Sequence, residues 1–285
     1  ANMERFREWT LQWLPRYDQE LIVEPEPEQT FLLGNRWADF GLAFAFALAF
    51  PVVRSFLRRY IHQPLGERVM FKGKKAKGQV QLERQRKWNE SCWKATVFST
   101  FVIAALVVSM KEKWFTDTRY YWAGCTHFPP CNLTVTKGVL FFFALETGFY
   151  IQAIHFLLFH EVRRKDWAES MTHHVATVVL LVYAYYVNFA RVGTMVLLVH
   201  DVSDIFLESA KLARYARRQS LAMFFFFIFL LVWVATRNVY FPAVIIRSTM
   251  TESLQYADVH GIAVEPHYTI FNGLLLLLLV LHIYW

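Results

Sequence analysis

Apolar runs of about twenty residues recur along this 285-residue chain, and no other feature restricts its fold so severely. About twenty helical residues cross a hydrocarbon core roughly 30 Å thick, and inside that core the backbone must satisfy its own hydrogen bonds. The runs fall near 37–61, 88–110, 137–160, 168–188, 192–212, 221–246 and 270–285. They predict an all-α polytopic membrane protein with seven transmembrane helices, the first kinked by Pro51. Composition agrees: 55% of residues are hydrophobic, 18% aromatic and only 19% charged, too apolar for an ordinary soluble domain. Residues 1–36 are polar and acidic without an early apolar core, so no cleavable signal peptide is expected and the first span serves as the insertion signal. The chain opens without Met and stops inside an apolar run at Trp285, so both ends are expected to extend further.

The net charge of +7 raises the question of nucleic acid, but the basic residues lie in short connections between spans. That placement speaks for membrane orientation and anionic headgroups, and no nucleic-acid partner is expected. Connections 62–87, 161–169 and 211–220 hold fifteen Lys and Arg on one side of the membrane. The other side, with the tail, 111–137, the turn near 189–193 and 247–269, holds ten over far more residues. The positive-inside rule then makes the N-terminus lumenal and the C-terminus cytosolic. The expected organisation is a lumenal tail (1–36), a first transmembrane helix (37–61), a basic cytosolic loop (62–87) and a six-span region (88–285). On the lumenal side fall Cys125 and Cys131, a disulfide candidate in an oxidising compartment, and the sequon Asn132-Leu133-Thr134, a glycosylation candidate. Cys92 reads as a small apolar filler.

The fourth and fifth spans carry His173, His174, His200, Asp201, Asp204, Glu208 and Lys211 at or near bilayer depth. An ionisable group there costs a few kcal/mol, so it is rare unless it pairs or works. At about 100° per residue, His200, Asp201, Asp204, Glu208 and Lys211 fall within an arc of roughly 100°. Asp166, Ser170, His173, His174 and Thr177 share a similar arc on the preceding span. The two stripes are expected to face each other or one water-filled cavity. Three readings follow. Polar residues can merely join helices by hydrogen bonds, but this set exceeds what such joining needs. A single metal ion could be held by His173 or His174 with Asp201 and Asp204, although the histidine spacing does not fit a di-iron site. Acyl transfer is the third: imidazole serves as base or nucleophile at neutral pH, and a neighbouring carboxylate orients it. His200, Glu208, Thr177 and His155 are supporting candidates. Arg163, Arg164, Lys165, Lys211, Arg214, Arg217 and Arg218 at the cytosolic rim suit a phosphate-rich handle such as coenzyme A.

The run R-R-K-D-W-A-E-S-M-T-H-H-V-A-T, followed by F-A-R-V-G-T and L-V-H-D-V-S-D-I-F-L-E-S-A-K, resembles the longevity-assurance motif of ceramide synthases in the TLC-domain family. K-W-N-E-S-C-W-K, W-F-T-D-T-R-Y-Y-W, Y-F-P and L-H-I-Y-W are similar to flanking segments of that family. The resemblance implies an endoplasmic-reticulum enzyme that moves a fatty acyl group from acyl-CoA to the amine of a sphingoid base. It implies a barrel of spans two to seven with an interior polar site and span one outside it. His173 and His174 would be the motif's histidines, and Asp201 and Asp204 its aspartates. No metal and no cofactor are expected, acyl-CoA being a substrate. Membrane lipids, and a homodimer or an accessory subunit, are the remaining partner expectations. The homeobox-like insert of many animal members is absent, because 62–87 is too short. A covalent acyl-histidine route and direct transfer both remain open. The alternative is a TLC-domain protein that binds lipid or assists translocation without chemistry.

Overall fold

A computed structural model describes residues 31–32, 37–159 and 167–284. Helix dominates. Helix α1 (Trp37–Leu57) contains Pro51 and runs through a π-helical turn (Arg58–His62) into α2 (Gln63–Phe71). There follow α3 (Gly78–Ser109), α4 (Lys137–Phe159), α5 (Trp167–Val187) and α6 (Ala190–Tyr215). Helix α7 (Gln219–Trp233) continues as π-helical turns over Val234–Ile246 and Ser248–Glu252 into α8 (Ser253–Val259), and α9 (His267–Tyr284) ends the described chain. The strands among the described residues are a two-residue antiparallel pair, β1 (Phe31–Leu32) with β2 (Thr134–Val135).

Among the described residues, six helical stretches are long and apolar enough to cross a membrane: Phe40–Phe71, Gly78–Ser109, Lys137–Phe159, Trp167–Val187, Gln219–Val259 and His267–Tyr284. The chain is therefore an all-helical, multi-pass membrane protein. Helix α6 has the length, 26 residues, but its charged stripe keeps it outside this set. Bulky apolar side chains on the outer faces, among them Phe44, Val52, Phe56, Ile103, Val107, Phe227 and Ile283, stay exposed, as lipid-facing positions do.

Two stretches expected to be loops are largely helical. Of 62–87, only 72–77 is irregular, turning at Lys72 (φ 53°) and Gly73 (φ 80°). The rest forms a helical hairpin pinned by tertiary contacts: Trp88 Nε1 donates to the His62 carbonyl at 3.0 Å. A Cβ on Gly66 would come 2.6 Å from the Trp88 ring, so α2 lies directly on α3. Likewise 247–259 continues the α7 helix, with Arg247 and Glu252 paired at 3.0 Å.

Helix α6 is the centre of the bundle, packed along α3 and α7 and buried from Ala190 through Asp201 except for Arg191. Helix α1 leans on α4 where Gly148 allows it; a Cβ there would meet the Ala43 carbonyl at 2.6 Å. The connection 110–136 caps one end of the bundle. Cys125 and Cys131 are joined by a disulfide, with Cα atoms 5.2 Å apart. Asn188, in the α5–α6 turn at φ 63°, donates from Nδ2 to the carbonyls of Cys131 and Leu133, both at 2.6 Å. Asn132 is exposed beside the disulfide, its Oδ1 accepting from the Thr126 amide at 2.7 Å.

Candidate active site

Adjacent residues on a helix point about 100° apart, so His173 and His174 open toward different neighbours. The His174 ring stands 5.9 Å from Tyr150 of α4, whereas His173 lies 6.1 Å from His282 of α9. A chamber of about 460 Å³ opens between these helices. It is bounded by Tyr150, Ser170, His173 and His174, by Asp204, Glu208 and Lys211 of α6, and by Trp233 and Arg237. On the other side of Tyr150 and His173, a slot of about 20 Å³ is lined by Leu180, Leu181, Ala184, Leu197, Leu278 and Phe271. Beyond Phe271 lies a third cavity of about 40 Å³, beneath Tyr256, Ile262 and Val264. His173 and Tyr150 line both the chamber and the slot, and so sit where polar surroundings give way to apolar ones.

The chamber's carboxylates are engaged by cations. Arg237, 3% exposed, pairs with Asp204 Oδ1 at 2.9 Å and donates to the His200 carbonyl at 2.6 Å. Its guanidinium carbon lies 4.0 Å from the Trp233 ring centroid, a cation–π contact. Glu208 accepts from Lys211 at 2.7 Å. His200 Nδ1 donates to the Val196 carbonyl at 2.5 Å, which fixes its tautomer and leaves Nε2 without a partner among the described residues. His282 lies in this interior, its ring tilted 4.7 Å from the His200 ring, with neither ring nitrogen hydrogen-bonded among the described residues.

The family model for the TLC domain matches residues 87–285. An ASC1-like protein of Solanum lycopersicum is 40% identical over 259 residues, which cover 87% of this chain and 84% of that protein. Ceramide synthase 1 LOH3 of Arabidopsis thaliana is 38% identical over 257 residues, covering 87% and 83%. Ceramide synthase hyl-1 of Caenorhabditis elegans is 35% identical over 222 residues, covering 73% and 57%. The chain belongs to the TLC-domain family, among its ceramide synthases. It is an acyltransferase of sphingolipid metabolism.

The ceramide synthase motif maps onto the chamber unevenly. His173, His174, Asp204, Glu208 and Lys211 line it, and Thr177 and His200 line the slot. Asp201 does not line either: it is 1% exposed, one layer behind, against Glu146 and Tyr150 of α4. His155 is exposed on the outer face of α4, its ring 5.1 Å from Phe159. Arg214, Arg217 and Arg218 are exposed beyond the chamber at the end of α6. Arg163, Arg164 and Lys165 lie outside the described residues.

Three residues of the site escape a reading that weighs only clusters. Arg237, Glu146 and His282 are each isolated in an apolar span, but the cost of burying an ionisable group applies to each of them alone.

Proposed function

We propose that this ceramide synthase transfers a fatty acyl group from acyl-CoA to the amine of a sphingoid base, giving ceramide or dihydroceramide. The observation that carries the reading is the position of His173 at the junction of chamber and slot. A thioester bound with its head in the chamber and its chain directed into the slot brings its carbonyl to that imidazole. The slot is narrow, so the chain enters only as Leu180, Leu181 and Leu278 move aside. Lys211 at the chamber, with Arg214 beyond it and the R-R-K run preceding α5 in sequence, supplies cations for the CoA phosphates.

His173 attacks the carbonyl to form an acyl-imidazole, or takes a proton from the incoming amine. His174, on the chamber side, polarises the carbonyl or passes a proton. The reaction draws on side chains alone, and the amine enters from the membrane past Phe229 and Leu230, which line the chamber.

The seventh crossing of this reading is α6. Its charged stripe is turned into the bundle, which explains why hydropathy alone passes over it. Spans two to seven then form the barrel, with α1 outside against α4. The Lys/Arg distribution supports a lumenal N-terminus and a cytosolic C-terminus in the endoplasmic reticulum membrane. Intact-mass measurement after exposure to acyl-CoA tests the covalent route: an acyl adduct is expected on wild type and absent from His173→Ala. Normal N-acylation by His173→Ala overturns the assignment.

A further inference from the structure

Glu146 and Asp201 have no role in the reaction as drawn so far. They come from different helices, α4 and α6, and are 0% and 1% exposed. Their carboxyl groups face one another within hydrogen-bonding reach, Tyr150 reaches Asp201, and among the described residues no cation pairs with either carboxyl group. The charges that act on Asp201 are Asp204 and Arg237, which are bonded to each other. Glu146 lies nine residues into α4, about 14 Å along its axis, well within the hydrocarbon depth. Two bare carboxylates cannot face each other there; one proton held between them removes the repulsion and leaves a single negative charge. Such a pair can take up one more proton.

Acyl transfer to an amine leaves one proton over. The sphingoid amine arrives as an ammonium at neutral pH and must lose a proton before its nitrogen can attack. The C–N bond then forms, the C–S bond breaks, and a second N–H proton leaves with the thiolate as thiol. In the covalent route His173 carries the acyl group and cannot take the first proton, and the chamber's own carboxylates already hold Arg237 and Lys211. Tyr150 connects the two places: it lines the chamber, its ring is 5.9 Å from His174, and it stands beside Asp201.

We propose that the Glu146–Asp201 pair takes up the proton released on N-acylation, with Tyr150 as its link to the chamber, and returns it to chamber water after each turnover. This rests on the N-acyltransfer reading above. The test uses purified full chain in nanodiscs, with acyl-CoA and a sphingoid base, assayed from pH 6 to pH 10. Glu146→Gln combined with Asp201→Asn keeps shape and hydrogen bonding but removes both proton sites. Its turnover should fall at least tenfold at pH 7 and recover in part toward pH 9.5, where more amine enters unprotonated. Tyr150→Phe leaves the pair in place and should shift the profile the same way. Because it is the milder change, it decides the matter if the double variant does not melt cooperatively. A wild-type pH profile in these variants overturns the proposal. So does an equal loss at every pH, which would assign the pair to packing alone. Wild type that forms no amide at any pH would instead refute the N-acyltransfer reading.

Discussion

Arg237 gives the sharpest test of how the site is held together. Replacing it with Met keeps the length of the chain and its apolar stem but removes three contacts at once. Asp204 loses its partner at 2.9 Å, the His200 carbonyl loses a donor at 2.6 Å, and Trp233 loses the guanidinium at 4.0 Å. Stranding a fully buried charge costs about 3–5 kcal/mol, but Asp204's side chain is 22% exposed into the chamber, so water recovers part of this. A charge-assisted hydrogen bond of about 1.5–2 kcal/mol, about 1 kcal/mol for the orphaned carbonyl and about 0.5 kcal/mol for the ring contact total roughly 3 kcal/mol. At about 2–4 °C per kcal/mol, Arg237→Met should melt about 6–12 °C below wild type in the same detergent. Adding Asp204→Asn removes the stranded charge. The double variant should therefore be more stable than the sum of the single losses by at least about 1 kcal/mol. Strictly additive losses, or a melting point for Arg237→Met within a degree of wild type, would show that the pair organises nothing.

Three further outcomes follow from the packing. Gly148→Ala places a methyl group 2.6 Å from the Ala43 carbonyl and 2.7 Å from Phe46 Cβ, so α1 must move off α4. The expected loss is about 1–3 kcal/mol, read as a lower melting temperature and faster proteolysis of α1. Cys125→Ser with Cys131→Ser opens a loop with a sequence separation of 6; loop entropy puts the loss at about 2 kcal/mol, and unchanged melting under non-reducing conditions would refute it. Phe271, 2% exposed, separates the slot from the far cavity. Phe271→Ala should shift acyl-CoA competition toward longer chains, and an unchanged chain-length profile would show that the wall lies elsewhere.

Most of the membrane architecture was legible because hydrocarbon thickness fixes span length, and the stripe on α6 because helical phase is arithmetic. The same arithmetic separates His155 from Glu146 by about 180° on α4. It could therefore have placed His155 outside the site and Glu146 within it before any coordinates. The helical hairpin within 62–87 was not readable. Its Lys- and Gly-rich turn dominates the composition, whereas the helix on either side depends on Trp88 reaching the His62 carbonyl across 26 residues. Nor did phase distinguish Asp201 from Asp204. Both belong to one arc, but Asp201 lies deeper and meets α4, whereas Asp204 meets Arg237 at the chamber.

That separation changes how the aspartates are to be understood. A carboxylate that orients a histidine, as in catalytic triads, has to be available to it. Asp204 and Glu208, the carboxylates that line the chamber, are held by Arg237 and Lys211 at 2.9 and 2.7 Å. Their first effect is to fix cations: Arg237 against the carbonyl end of His200, and Lys211 on the chamber wall. Removing Asp204 should then act through Arg237, leaving a cation beside His173 that no longer has a counter-charge. Asp204→Asn should consequently behave like a displaced Arg237, and Arg237→Met should restore part of its turnover. A carboxylate that acted on the histidine directly would allow no such rescue.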